Sequence, residues 1–172
     1  MQGLQYLSLT KADLESLSLP MSRAYRANQH HAVQKLEHAP LSCDQCLTLL
    51  SQSLTDPDNL CFKVCLGGIA IGAFVIHWNE FGDSELRHLF IDAKHQNQGI
   101  GRQVWSFLLS CYPTQSWRVE TPTSIPRNIH FYRDICGFEW QHDHEGLSVF
   151  RWQGRSSAVY NQTNDNEYHG NE

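Results

Sequence analysis

The sequence predicts an α+β domain built on a mixed, mostly antiparallel sheet of six to seven strands, and three observations carry that reading. Strand-like and helix-like segments follow one another unevenly: a strand, two helical stretches, a strand pair, then strand, helix, strand, helix and a final strand pair. Two connections, Gly67-Gly68 and Glu145-Gly146, are short glycine turns of the kind that joins antiparallel strands. Between them lies a single strand–helix–strand unit, "ELRHLFI", "RQVWSFLLSCY" and "WRVET".

The elements follow in order. "LQYLSL" alternates as a first strand, and Thr10 precedes a helical stretch, "DLESLSLPMSRAYRA", in which Pro20 predicts a kink or two short helices. "NQHHAVQKLEHAP" is polar and irregular, a loop over a site, with His30, His31 and His38 read as solvated rather than as metal ligands. Ser42 caps a second helix, "CDQCLTLLSQSL", which ends in the turn "TDPDN". "LCFKVCL" and "IAIGAFVIHW" form a hairpin, and "FGDS" turns the chain into "ELRHLFI", where regular alternation puts Glu85, Arg87, Leu89 and Ile91 on one side and His88 on the other. The next helix carries Val104, Phe107, Leu108 and Cys111 on one stripe. "IPRNIHFYRDIC" is a helix closed by Gly137, and "FEWQHDHEGLSVFRW" a last hairpin. Residues 1–153 are read as one domain and 154–172 as a polar tail without periodicity, expected to be disordered.

Composition narrows the function classes. The chain has 172 residues, 41% hydrophobic and 18% charged, with a formal charge of −5, which argues against a nucleic-acid partner. The start has neither a basic segment nor an apolar core of a secretory signal, and the longest apolar run, "IAIGAFVI", is too short to span a bilayer. The six cysteines are read as reduced thiols of a cytoplasmic protein without a membrane partner. Cys43 and Cys46 form a CxxC with no second pair, so no metal site is expected.

"QNQGIG" is the segment with chemical content. Glycines at a strand-to-helix junction cost helix stability, about 1 kcal/mol each against alanine, but they open the unpaired N–H groups of the helix start to an anion. Neither a P-loop nor a GxGxxG motif fits, because Arg102 and Gln103 follow Gly101 and Val104 stands where a third glycine belongs.

Gln96-x-x-Gly99-x-Gly101 resembles the pyrophosphate loop of the GNAT superfamily of N-acetyltransferases. Asn128, Phe131-Tyr132 and Gly137-Phe138 resemble that family's second signature, in the right order and one strand later. Ala93 departs from a common proline, and Gln98 from a common basic residue before the first glycine. The resemblance implies a GNAT-like sheet with helices on both faces and a splayed parallel strand pair. It implies acetyl-CoA as co-substrate, its diphosphate on the N–H groups of Gln96, Asn97, Gln98, Gly99, Ile100, Gly101 and Arg102. Its pantetheine would lie along Leu89, Phe90 and Ile91, with Asn128 reaching the coenzyme. The implied reaction is direct transfer of an acetyl group to a primary amine, of a small molecule or a protein, and a homodimer is frequent in such proteins. The alternative class is a non-catalytic acyl-CoA sensor.

That chemistry needs a base, or a water chain to one, because an alkyl ammonium of pKa near 10.4 cannot attack a thioester, and an acid for the departing thiolate. The resemblance gives Tyr132 the acid's role. Glu85, fourteen residues before the first loop glycine, is the first candidate for the base. Glu120 on the neighbouring strand is its rival, or the group that binds the acceptor's ammonium.

Overall fold

The computed structural model describes residues 3–30 and 41–154. Seven strands form one sheet in the order β1-β2-β3-β4-β5-β7-β6, where β1 is Leu4–Ser8, β2 Leu60–Leu66, β3 Ile69–His77, β4 Asp83–Ile91, β5 Ser116–Pro122, β6 Glu139–His144 and β7 Leu147–Gln153. All neighbours are antiparallel except β4 and β5. That pair follows from α3, Ile100–Cys111, which returns the chain to the end of the sheet where β4 began.

Both glycine turns behave as their sequences require. Gly67 and Gly68 have φ of +60° and +80° and join Leu66 to its partner Ile69, while Glu145 and Gly146, at +47° and +78°, join His144 to Leu147. Two successive positive φ values match the right-handed strand twist.

Each face of the sheet has its own core. On one, Phe74, Ile76, Leu86, Trp117, Val119 and Phe150 pack against Val104, Trp105 and Leu108 of α3. On the other, Ala73 and Phe90 meet Leu14, Leu17, Met21 and Ala24 of α1, Leu14–His30, and Cys46 and Leu50 of α2, Cys43–Thr55. Ser42 and Gln45 cap α2 reciprocally: the Gln45 N–H donates to Ser42 Oγ at 3.2 Å, and the Ser42 N–H to Gln45 Oε1 at 2.8 Å.

Three expectations change. Pro20 does not divide α1, which runs as one helix of 17 residues. The lost hydrogen bond is outweighed by an apolar stripe, Leu14, Leu17, Met21 and Ala24, that stays buried on both sides of it. The helix also takes in residues 28–30 of the segment read as a loop over 28–40, and residues 31–40, like the tail from 155, lie outside the described residues. On α3, Trp105 replaces Phe107 and Cys111 in the buried stripe: it meets Trp117 and Phe138, Phe107 is half-buried, and Cys111 is exposed at the helix end. Among the described residues no helix is long and apolar enough to cross a membrane, and no group of three or more metal-ligating side chains comes together.

Candidate active site

The site begins where the parallel pair comes apart. β4 and β5 are paired only from Asp83–Ser116 to Leu86–Val119. Beyond that point β4 stays with β3 as far as Ile91, and β5 stays with β7 as far as Pro122. The two diverge, and the β5 side of Leu89, Phe90 and Ile91 has no strand partner. A cleft of about 1010 Å³ opens there, lined by Ala24, Tyr25, His88, Glu120, Asn128 and Tyr132, and by the glycine segment.

The glycine segment forms one wall, and its two glycines serve different ends. Gly99 is the N-terminal cap of α3 with φ +75°, and a Cβ there would meet no atom within 4 Å. It is needed for a left-handed turn beside open space. Asn97, at φ +62°, makes a second such turn. Gly101 is needed for packing: a Cβ there would lie 3.0 Å from the Phe131 ring. With α3 starting at Ile100, the first-turn N–H groups of Ile100, Gly101 and Arg102 have no intrahelical acceptor, and these residues line the cleft. This is a place for an anion.

Three anchors hold that wall. Gln96 donates from Nε2 to the Ile91 carbonyl at 2.8 Å and accepts at Oε1 from Arg127 Nη1, also at 2.8 Å. Arg127 Nη2 reaches Asn97 Oδ1 at 3.3 Å, which leaves a guanidinium beside the loop. Asp92, 4% exposed, receives Arg23 Nε at 2.8 Å and a second, shorter bond from Arg23 Nη2, and it also accepts from the Lys94 N–H. Burial raises the Asp92 pKa, but the Arg23 and Lys94 hydrogen bonds outweigh it and hold the carboxyl below its usual range. Arg23, Asp92 and Arg127 lie outside the sequence motif, so nothing in its spacing points to them.

Tyr132 lines the same cleft. The helix expected over 125–136 is two pieces: α4, Pro126–His130, then a π-helical turn, Phe131–Ile135. Gly137, at φ +78°, closes it, with the Phe138 N–H donating to the Tyr132 carbonyl at 2.9 Å. Trp105 Nε1 donates to the Cys136 carbonyl at 3.0 Å and fixes the turn against α3. Tyr132 is 8% exposed, with its ring edge-on to Phe131 and Phe138. Burial drives its pKa far up, so the phenol keeps its proton. Asn128 donates from Nδ2 to Thr121 Oγ1 at 3.0 Å, a link to β5 rather than a helix cap.

The carboxylates are placed differently. Glu120 lines the cleft, accepts from Arg118 Nη2, and lies 3.1 Å from His144 Nε2. Burial raises its pKa, but the His144 and Arg118 contacts prevail and hold it ionised below the usual range. Glu85 is not among the lining residues; Arg87 Nε at 3.2 Å and Arg118 Nη1 at 3.0 Å hold it behind Glu120.

The expected alternation of β4 fails. Val75 pairs with His88 but Ile76 with Leu86, so Arg87 is an extra residue in a bulge. Leu86, Leu89 and Ile91 face α3, whereas Glu85, His88 and Phe90 face α1 and α2, as their partners His77, Val75 and Ala73 do. His88 and Glu85 therefore share a face.

The family model described as Acetyltransferase (GNAT) family matches residues 24–138. A Bacillus subtilis protein, YrkN, described as uncharacterized, is 25% identical over 155 residues, covering 87% of this chain and 82% of its own. An acetyltransferase from Thermus thermophilus superposes with a TM-score of 0.74 at 18% identity, covering 89% of this chain and 99% of that one. The PaiA N-acetyltransferase of Thermoplasma acidophilum, solved in complex with coenzyme A, gives 0.67 at 14% identity, with 88% and 99% covered. With its seven-stranded GNAT-like sheet and a family match over most of its length, the chain belongs to the GNAT family and is an acyltransferase.

Proposed function

We propose that this protein transfers an acetyl group from acetyl-CoA directly to a primary amine. The observation that carries the reading is the splayed cleft, lined by free helix-start N–H groups and by a buried, protonated phenol. Its size suits an extended coenzyme arm together with an acceptor.

In this reading the N–H groups from Gln96 to Arg102 take the diphosphate, joined by the Arg127 guanidinium. The pantetheine amide groups bond the backbone of Leu89, Phe90 and Ile91, and Asn128 approaches the arm from α4. Glu120 holds the acceptor's ammonium by charge. The neutral amine attacks the thioester carbonyl, the carbon–sulfur bond breaks, and Tyr132 gives its proton to the sulfur. Glu85 supports Glu120 through the shared Arg118. The coenzyme is a co-substrate, no metal is needed, and the acceptor is a small-molecule or protein amine. All six cysteines are free thiols, which favours a reducing cytoplasm.

Calorimetry with acetyl-CoA and thiol release across a panel of amines test this. Micromolar binding with amine-dependent thiol release is the expected result. Binding without release for any amine would favour the sensor.

A further inference from the structure

We propose that His88 is the base that takes the proton from the acceptor's ammonium group, a role that rests on the amine transfer proposed above. Three independent features carry it. The first is its face: His88 alternates with Leu89 and Ile91, which face α3, and so lies with Phe90 on the side of α1 and α2, the side to which the bulge at Arg87 also brings Glu85. The second is its place in the cleft, which Tyr25, Glu120 and Tyr132 also line. The third is that, among the described residues, no hydrogen bond engages its ring, which leaves a nitrogen lone pair available.

The other candidates are occupied. Glu120 is gripped by Arg118 and His144, and a carboxylate held below its usual pKa has lost basicity. It holds a cation well and takes a proton from one poorly. Glu85 is bound by two arginines and stands off the cleft. The charged groups that act on His88 are Arg87 and Glu85 on β4, and Tyr25 on α1 and Glu120 on β5 line the same cleft. Arg87 is itself held by Asp56 at 3.0 Å and Asn59 at 2.6 Å, toward the end of α2. Burial, then the Arg87 charge, lower the His88 pKa against a smaller opposing effect of Glu85, so the ring is neutral at physiological pH.

The step balances. An N–H bond of the ammonium breaks, its proton goes to the free imidazole nitrogen, and its electron pair becomes the lone pair that attacks the carbonyl carbon. The carbon–sulfur pair leaves with sulfur, which takes the Tyr132 proton. The second proton of the attacking nitrogen restores the phenol, and the imidazolium releases its own to solvent.

The test is His88→Gln, read with acetyl-CoA and whichever of a polyamine, an amino acid, an aminoglycoside and a peptide amine gives the fastest wild-type thiol release. A base works when deprotonated, so wild-type turnover should fall as pH drops through the imidazole pKa. In His88→Gln the turnover number should fall about 10²–10³-fold and that acidic limb should vanish, with acetyl-CoA affinity by calorimetry unchanged. Glu120→Gln should keep the limb. Should His88→Gln not fold, NMR titration of His88 in the wild-type protein with coenzyme A supplies the check: its pKa should match the kinetic limb. A wild-type limb that survives in His88→Gln, or a His88 titration that does not coincide with it, overturns the assignment while leaving the transfer reaction standing. A wild-type protein that binds acetyl-CoA and releases no thiol with any amine overturns both.

Discussion

The two walls of the cleft are built on different principles. The wall of the glycine segment is one contiguous stretch, Gln96 to Arg102, and the groups proposed to bind the diphosphate are backbone N–H groups made available by a helix start. The proposed acceptor side is assembled from side chains on separate elements: Tyr25 from α1, His88 from β4 and Glu120 from β5. A backbone site depends on φ and on space, both of which glycines announce in the sequence. A side-chain site depends on which way each strand residue points, and one extra residue in β4 changes that. The first kind is legible locally; the second is not.

Perturbing each wall separately sharpens the contrast. The largest effect belongs to Gly99→Asp, which puts a side chain and a negative charge at φ +75° beside the helix start. We expect acetyl-CoA binding to be lost, and unchanged calorimetric affinity in a folded variant would refute the anion-binding wall. Tyr132→Phe comes next. It should cut the turnover number by about 10²–10⁴-fold with coenzyme affinity intact, and wild-type turnover where chemistry limits the rate would return Tyr132 to packing alone.

Arg23→Ala tests the tie between the walls, because Arg23 stands on α1 and Asp92 at the root of the loop. Leaving the buried carboxylate unpaired should cost about 3 kcal/mol, roughly 6–12 °C in melting temperature for a chain of this size. The pH dependence has a definite sign. Asp92 has a depressed folded-state pKa, so the stability of the pair is present above the ordinary aspartate pKa and lost as pH falls through the lower folded value. Wild type and Arg23→Ala should therefore converge in stability in the acid range, below about pH 4; a constant gap there would show that Asp92 does not titrate with the pair. Glu120→Gln should have the smallest effect, raising the Michaelis constant for the amine about tenfold, or about 1.4 kcal/mol, with the turnover number nearly unchanged. A fall in turnover alone would make Glu120 part of the chemistry instead.

Much of the fold was readable because its signals are local. Gly67-Gly68 and Glu145-Gly146 fixed two hairpins, Ser42 and Gln45 a helix start, and Gly137 a helix end. Pro20 misled because a local penalty was judged without the packing that outweighs it. Trp105 was overlooked because the stripe was drawn toward Phe107 and Cys111, whereas contact with Trp117 and Phe138 decided which side of α3 is inward.

By itself, the sequence determined the order of elements, the glycine-capped helix start and the position of Tyr132 between Phe131 and Gly137, because hydrogen bonding and steric freedom act within a few residues. Tertiary structure decided the rest. The point where β4 and β5 part, the bulge at Arg87 that brings His88 and Glu85 to one face, and the bonds of Arg23 and Arg127 to the loop all join residues distant in the chain. Such contacts depend on how sheet twist and two cores are satisfied together, and no local pattern of residues records that.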